Sequence, residues 1–578
     1  MIRERKISGR EIIGWLFICL STGMLGRSIL LCFSRDIWYD ELFTVSMAEH
    51  SYGELIRFTA ADVHPPLYYM IVKFFSDLCK LIVPGAGTVI PAKLVSTLPY
   101  LLLLLYSVTW IRKRWGIFTG GLFLFCVTAM PQLPAYTVEV RMYGWALFFV
   151  TAAFWHAHGC LMTEQFTAAG TDSAAGVESK MASGRRRYLH GAALVLYGLA
   201  AAYTQYFAAV AVGMVYLYLL AVFLRRDKSR LREWLCYAAV SAVCYVPWFF
   251  ALAGQISAVS ENYWILPLTW RSLGGCVKFL MKPAFMNDVL NTVLAVVLFA
   301  AYVLVVGYPA VSVFVSGSRR KDKKLYHNGR EKGLCNVQNN DDFSQRGADS
   351  VNYADEADRI VYMLAGVGVL AGVVAFGFAA SILIRPIFVY RYMIPALGCF
   401  WFSFALGADY LLCKLDRQAE EGDELCKLKE IAAILLITFI VAVGLRDYRA
   451  FRGEEEYKIV SMRETETALS LIYPEDTVIY NFDQVQAVTA YYLPSGTERF
   501  LWCGSAESLI QEMIGPCGTL EDVDEIRELM DKERSLWFIG SFNSRDDIVE
   551  EWREAGFSVE EMGSFLLERY WFNLYKIS

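Results

Sequence analysis

The chain has 578 residues, of which 56% are hydrophobic and only 20% are charged, and its mean hydropathy is +0.36. An average soluble protein carries about 25% charged residues. The composition therefore excludes an ordinary soluble enzyme and, over most of the chain, a disordered protein, and it indicates a polytopic membrane protein.

Charge is distributed unevenly along the chain. Residues 448–578 carry 12 Lys or Arg and 26 Asp or Glu, whereas the preceding residues carry 42 and 33. No stretch combines a basic patch with interleaved aromatic residues, so the sequence predicts no nucleic-acid partner. An acidic C-terminal part that follows a basic membrane part indicates two parts in different compartments.

Apolar runs about 20 residues long predict transmembrane helices. We find about eleven, at residues 12–33, 90–111, 117–134, 143–162, 189–205, 207–224, 234–254, 288–315, 360–384, 391–412 and 430–447. The most basic segments are 3–10, 112–114, 185–187, 225–230 and 319–324. With these spans, all five lie on one side, so the positive-inside rule places the N-terminus in the cytoplasm and residues 448–578 outside.

These features predict an all-α membrane domain at 1–447 and an extracytoplasmic α/β domain at 448–578. In the first outer loop, residues 34–89, we expect an interfacial helix at 67–83, because charged residues interrupt its apolar run. The polar segment 317–358 is expected to be a flexible cytoplasmic loop.

Alternating strand and helix patterns characterise the C-terminal part. The runs TVIYNF, RFLWCG and SLWFIGSF predict strands. Helices are expected at 484–492, 505–514, 521–533 and 545–555. Cys503 and Cys517 are the two cysteines of this part, and their spacing leaves open whether they pair.

Ionisable residues concentrate in the first outer loop. Asp40 and Glu41 lie among aromatic residues, which would raise a carboxyl pKa toward that of a general base; a solvated loop beside an aromatic belt explains them equally well. Asp62 and His64 precede Pro65-Pro66, where they could bind a metal or phosphate, or cap the helix that follows. A divalent ion held by Asp40, Glu41, Asp62 and His64 is left open.

Two further clusters lie in later outer segments. The sequence AYTVEVRMYGW contains Glu139, Arg141 and Tyr143, and RPIFVYRYMIP contains Arg391 and Tyr392. Arginine suits phosphate, which here could belong to a phospholipid head group or to a lipid-linked substrate. The chain has no P-loop, HExxH or GxSxG motif, which favours a lipid-phosphate donor over a nucleotide.

The order of these motifs resembles the GT-C glycosyltransferases. The acidic pair, the D-V-H-P-P-L-Y-Y run, the E-V-R-M-Y run and the late R-Y pair are most similar to the protein O-mannosyltransferase-like and aminoarabinose-transferase-like branches, over about residues 10–450. The resemblance implies transfer of a sugar, with inversion, from a polyprenyl-phosphate carrier to a glycan, lipid or protein acceptor outside the cytoplasm. A bacterial plasma membrane is the expected location.

The resemblance also implies roles for individual residues. Asp40 would be the general base, and Glu41 its supporting partner or alternate. Arg141 and Arg391 would meet the donor phosphate. The residues expected near donor or acceptor also include Asp62, His64, Glu139, Tyr143 and Tyr392.

Other functions remain open at this stage. A ligase, a polymerase or another transferase of lipid-linked substrates would need similar residues. A transporter or flippase of lipid-linked sugars would also bind phosphate through arginines, but most charges here lie at one face of the predicted bundle. A membrane scaffold that displays the C-terminal domain is the last alternative.

Overall fold

The computed structural model describes residues 8–162, 174–258, 265–285, 287–330, 340–420, 424–504, 509–530 and 534–578. Helices form nearly all of the regular structure up to residue 469, and a small α/β domain follows. The helices of the first part are α1 Gly9–Leu31, α2 Tyr39–Glu49, α3 Tyr52–Ala61, α4 Leu67–Ile82, α5 Val89–Tyr106, α6 Arg112–Trp115, α7 Ile117–Ala129, α8 Tyr143–Met162, α9 Ala174–Ala202, α10 Tyr206–Arg226, α11 Leu231–Ala258, α12 Trp270–Met281, α13 Asp288–Arg330, α14 Asn340–Leu383, α15 Ile394–Glu420 and α16 Glu424–Leu469.

Within these residues, eight helical segments are long and apolar enough to cross a membrane, and the chain is a multi-pass membrane protein. The segments contain α1, α5 with α6, α10, α11, α13, α14, α15 and α16. The other three predicted spans coincide with α7, α8 and α9. Helix α7 has only 13 residues, and α8 contains His156 and His158. All eleven apolar runs are thus helical, while the number that cross the membrane stays a prediction.

The membrane domain is built around α7, whose thirteen residues are all buried. It packs on α1 backbone to backbone: a methyl group at Gly121 would lie 2.3 Å from the Gly14 carbonyl oxygen, and one at Gly14 would lie 2.6 Å from the Phe118 nitrogen. Small residues allow such close helix packing inside membranes. This packing fixes α1, whose end leads directly into the first outer loop.

A helix is present where the interfacial helix was expected. Helix α4 buries Tyr69 and Val72 and exposes the apolar side chains of Phe74 and Leu81. Its 16 residues are fewer than a spanning helix needs. Its position at the membrane interface remains a prediction.

The C-terminal part confirms the predicted α/β domain. Its strands are β1 Thr477–Tyr480, β2 Glu498–Trp502, β3 Gly518–Leu520, β4 Leu536–Gly540, β5 Val559–Leu567 and β6 Tyr570–Ile577. Its helices are α17 Asp483–Ala490, α18 Leu509–Ile514, α19 Val523–Met530 and α20 Ser544–Glu554. The strand order is β3-β2-β1-β4-β6-β5, with parallel pairing from β3 to β4 and antiparallel pairing on both sides of β6.

Three details differ from the sequence patterns. Helix α16 continues past residue 448 to Leu469, so the expected domain boundary falls inside a helix that links the two parts. The segment 317–358 is helical where it is described, because α13 and α14 extend into it; residues 331–339 lie outside the described residues. Cys503 and Cys517 are both free.

Candidate active site

Asp40 lies between two arginines from distant segments. Helix α2 places this carboxyl group in its first turn, where the helix dipole favours a negative charge. Arg391 Nη1 lies 3.1 Å from Asp40 Oδ2, and Arg141 Nη2 lies 3.7 Å from the same oxygen. The Asp40 side chain is 23% exposed, so the carboxylate is accessible from outside the protein.

Arg141 also orients the start of α2. Its Nη1 donates a hydrogen bond of 2.8 Å to the main-chain oxygen of Asp40, and its side chain is only 4% exposed. Burial alone would lower the pKa of Arg141, but Asp40, together with smaller contributions from Tyr69, Tyr143 and Glu139, outweighs burial and raises it. The guanidinium is therefore a fixed positive charge beside Asp40.

Glu41 has a different environment from Asp40, although the two residues are adjacent. It is 3% exposed. One carboxyl oxygen accepts a hydrogen bond of 2.6 Å from the Val140 N–H, and the other accepts one of 3.1 Å from the Trp38 N–H. Burial raises the pKa of Glu41 to about 8. Because both oxygens are engaged by main-chain groups, Glu41 ties the loop before α8 to the start of α2.

Glu139 and Tyr143 flank Arg141 in the chain. Burial raises the pKa of Glu139, and the charges of Arg569 and Arg141 oppose this effect. The Tyr143 ring packs edge-on against Tyr136, with ring centroids 5.3 Å apart. We call Asp40, Glu139, Arg141 and Arg391 the Asp40 cluster.

Asp62 and His64 form a pair at the end of α3. Their Oδ2 and Nδ1 atoms are 3.0 Å apart. Burial would raise the pKa of Asp62, but the hydrogen bond and charge of His64 lower it below its usual value. Arg141 also interacts electrostatically with Asp62, which places the pair beside the Asp40 cluster. Tyr392 has a packing role: its ring stacks on Phe207 at 4.7 Å.

The residues suggested for a divalent ion do not fit one. Both carboxyl oxygens of Glu41 are bound to main-chain N–H groups. Across the described part of the chain, one group of at least three His, Cys, Asp or Glu side chains lies close enough together to share an ion. That group is a different one: Asp36, Glu455 and Glu568. Asp40, Glu41, Asp62 and His64 therefore do not assemble a metal site.

The second acidic set already has positive partners. Lys93 Nζ lies 3.1 Å from Asp36, and Lys458 Nζ lies 2.8 Å from Glu455 and 3.2 Å from Glu568. We call these five residues the Asp36 network. It joins the first outer loop, α5, α16 and the turn between β5 and β6, and so links the membrane domain to the C-terminal domain.

The sequence patterns missed one charged residue at the site. Arg569, in the turn between β5 and β6, lies over the Trp38 ring with its guanidinium carbon 4.0 Å from the ring centroid. It interacts electrostatically with Glu139, Glu41 and Asp40. In the sequence Arg569 is one arginine in an acidic domain, and no motif marks it; only the folded structure brings it to the site.

Comparisons with known proteins support the fold. No family model matches the chain, and no curated protein matches it by sequence. ArnT from Cupriavidus metallidurans in the apo state aligns over 98% of each chain, with 13% identity and a TM-score of 0.50. The same protein bound to undecaprenyl phosphate has a TM-score of 0.48, with 12% identity over 98% of each chain. The archaeal oligosaccharyltransferase AglB from Archaeoglobus fulgidus has a TM-score of 0.35 and 11% identity, over 90% of this chain and 69% of AglB. The apo ArnT structure shows that the chain has the ArnT fold, which confirms the expected fold class of a helical membrane domain followed by an α/β domain.

Proposed function

We propose that the chain is an inverting glycosyltransferase, which moves a sugar from a polyprenyl-phosphate-linked donor to an acceptor hydroxyl. The observation that carries this proposal is the Asp40 cluster, an accessible carboxylate held by Arg391 at 3.1 Å and Arg141 at 3.7 Å. A carboxylate can accept the proton of a hydroxyl group, and guanidiniums bind phosphate. Both capacities occur side by side in a membrane protein with the ArnT fold.

The contacts of Asp40 suggest how donor binding prepares the site. The donor phosphate competes with Asp40 for the N–H groups of Arg391 and Arg141. Once the phosphate takes these groups, the Asp40 oxygens become available to the acceptor hydroxyl. Inversion requires the acceptor oxygen to attack opposite the phosphate, so the donor must bind with its sugar carbon between the phosphate and the acceptor hydroxyl held by Asp40, and this orientation supplies much of the rate.

The chemical step is a single displacement. The acceptor oxygen attacks the sugar carbon attached to the phosphate, its proton goes to Asp40, and the bond from that carbon to the phosphate oxygen breaks. Negative charge grows on the departing phosphate, where Arg141 and Arg391 stabilise it. Glu41 is a positioning residue here, because its oxygens are bound to main-chain N–H groups.

The remaining predicted residues are proposed to shape the donor and acceptor sites. His64, oriented by Asp62, and Glu139 supply polar groups beside Arg141. Tyr143 and Tyr392 form aromatic walls. In this proposal the N-terminus is cytoplasmic, and the Asp40 cluster and the C-terminal domain face the outside of the plasma membrane. The acceptor is a glycan, lipid or protein.

Release of sugar from its lipid carrier tests the proposal. Membranes that contain wild type, Asp40→Asn or Asp77→Asn would be given a panel of radiolabelled polyprenyl-phosphate sugars. Loss of a general base typically costs about 10²–10⁴-fold in rate, so Asp40→Asn should release almost no label. Asp77 is a matched control, since it lies in the same outer loop and is 44% exposed in an ion pair with Lys73.

Each outcome is informative. Equal release by wild type and a folded Asp40→Asn variant would remove Asp40 as the base. If folded wild type releases no label from any donor in the panel, the result would favour a transporter or flippase of lipid-linked sugars. The movement of lipid-linked sugar across vesicle membranes should then be measured.

A further inference from the structure

The turn between β5 and β6 is held firmly against the membrane domain. Leu567 and Tyr570 pair across the hairpin, which leaves Glu568 and Arg569 as the turn. Leu567 is 1% exposed and Glu568 is 8% exposed. Glu568 has a φ of 55°, a left-handed conformation uncommon for this residue type. Its ion pair with Lys458 fixes the turn, and with it the base of the Arg569 side chain.

Arg569 projects from this fixed turn toward the start of α2. Its guanidinium lies over the Trp38 ring, two residues before Asp40. A cation over an indole face is attracted by the ring, so Trp38 orients the side chain. The C-terminal domain thereby adds a third positive charge to the two that Arg141 and Arg391 bring to the Asp40 cluster.

Arg569 differs from these two arginines in its hydrogen bonding. Arg141 and Arg391 both contact Asp40. For Arg569, no hydrogen bond to the guanidinium exists among the residues that the structure describes, and its nearest carboxylate, Glu568, is 3.7 Å from Nε. The side chain is 52% exposed. It therefore presents several N–H donors to the outside at the edge of the site.

We propose that Arg569 binds an anionic group, a phosphate or carboxylate, that is carried by the acceptor. This inference rests on the proposed function. A donor phosphate anchored to a lipid reaches the site from the membrane, where Arg141 and Arg391 lie on membrane-domain segments. Arg569 comes from the domain outside the membrane, and it faces molecules that approach from that side. Charged hydrogen bonds to phosphate or carboxylate are the strong interactions that a guanidinium forms.

Chemical labelling of arginines can locate the anion on the full-length protein. Phenylglyoxal would be reacted with the detergent-solubilised chain, and labelling of each arginine measured by peptide mass spectrometry. The probes are inorganic phosphate and undecaprenyl phosphate, each compared with chloride at equal ionic strength to remove screening effects. Arg527 is an internal control, because it lies in the same domain, is 55% exposed and packs over the Phe557 ring.

Inorganic phosphate should slow the labelling of Arg569 several-fold and leave Arg527 unchanged. Undecaprenyl phosphate should protect Arg391 and leave Arg569 reactive. Protection of Arg569 by undecaprenyl phosphate would assign it to the donor and overturn the proposal. Equal effects of phosphate on Arg569 and Arg527 would show adventitious binding and also overturn it.

A second measurement uses variants and needs no activity. With undecaprenyl phosphate saturating, inorganic phosphate should raise the unfolding temperature of wild type and Arg527→Ala, but not that of Arg569→Ala. The same shift in all three would contradict the subsite. If undecaprenyl phosphate fails to protect Arg391, the donor assignment in the proposed function fails, while the Arg569 results keep their meaning.

Discussion

Two aspartates four residues apart in one loop show how differently the fold uses the same side chain. Asp40 is paired with Arg391 and Arg141 and is 23% exposed. Asp36 is paired with Lys93, and both residues are at most 3% exposed. Both carboxylates therefore have cationic partners, and accessibility is what separates them.

The partners reinforce this difference. The Asp40 cluster uses arginines, which can exchange a carboxylate for a phosphate with little change in geometry. The Asp36 network uses Lys93 and Lys458, together with three carboxylates, between segments that are far apart in sequence. An enclosed set of charges of this kind gives little net stability but is costly to disrupt. We infer that one site serves binding and chemistry and the other holds the domains together.

Removing either aspartate tests the comparison directly, and we expect the largest stability effect at Asp36. Asp36→Ala leaves Lys93 buried without its partner, which typically costs about 3–5 kcal/mol. Asp40→Ala should cost less, because its pair with Arg391 is partly exposed and such pairs contribute about 0–1 kcal/mol, while the buried Arg141 keeps its hydrogen bond to the main-chain oxygen of residue 40. Denaturant unfolding in detergent, followed by tryptophan fluorescence, measures both. Similar losses for the two variants would contradict the distinction.

Arginine variants sharpen the proposed role of the accessible site. Arg391→Ala should reduce sugar release by about 10²–10³-fold, the usual effect of removing one group that stabilises transition-state charge. Arg391→Lys should restore little, because an ammonium group lacks the planar pair of donors. Arg271→Ala, at an exposed position of α12, is the control. Full activity in Arg391→Ala would remove this residue from the donor site.

The sequence predicted the fold class and the main members of the Asp40 cluster for physical reasons. The basic segments at the predicted cytoplasmic ends of the spans follow the positive-inside rule, whereas Asp40, Arg141 and Arg391 lie in predicted outer segments and therefore stood out. Strands β1, β2 and β4 of the C-terminal domain were visible as short apolar runs, whereas β3, β5 and β6 were not predicted. Both signals are local in sequence.

The features that the sequence did not reveal depend on distant contacts. Glu41 is adjacent to Asp40, and its role became clear only from its bond to Val140. The Asp36 network joins Lys93 to the loop and Lys458 to Glu568, which is 110 positions further along the chain. No spacing rule connects such residues, so neither this network nor Arg569 could be recognised before the fold was known.

Replacing both members of an ion pair separates structural from chemical roles. Asp36→Leu combined with Lys93→Met should recover much of the stability that either single change loses, because apolar residues of similar size can replace a buried pair. The interaction energy from this double-mutant cycle should therefore exceed the loss caused by either single change. The matching Asp40→Leu and Arg391→Met pair should remain inactive in sugar release. Recovery of activity there would show that Asp40 and Arg391 serve only to hold the loop.

The smallest expected effect concerns the pH dependence of stability at Glu568. Burial raises the pKa of Glu568 to about 7, while the charge of Lys458 opposes the shift and those of Glu455 and Asp36 reinforce it. A raised carboxyl pKa means that the folded state binds the proton more tightly than the unfolded state. This stabilisation is therefore complete below the usual pKa of about 4.3 and is lost as the pH rises through about 7.

The unfolding temperature of wild type should therefore fall between pH 5 and pH 8, and Glu568→Gln should show a shallower fall. Glu554→Gln, at an exposed position of α20, should keep the wild-type slope. An unchanged slope in Glu568→Gln would mean that this carboxyl group keeps the same charge across that range, and that the network tolerates three ionised carboxylates beside two lysines.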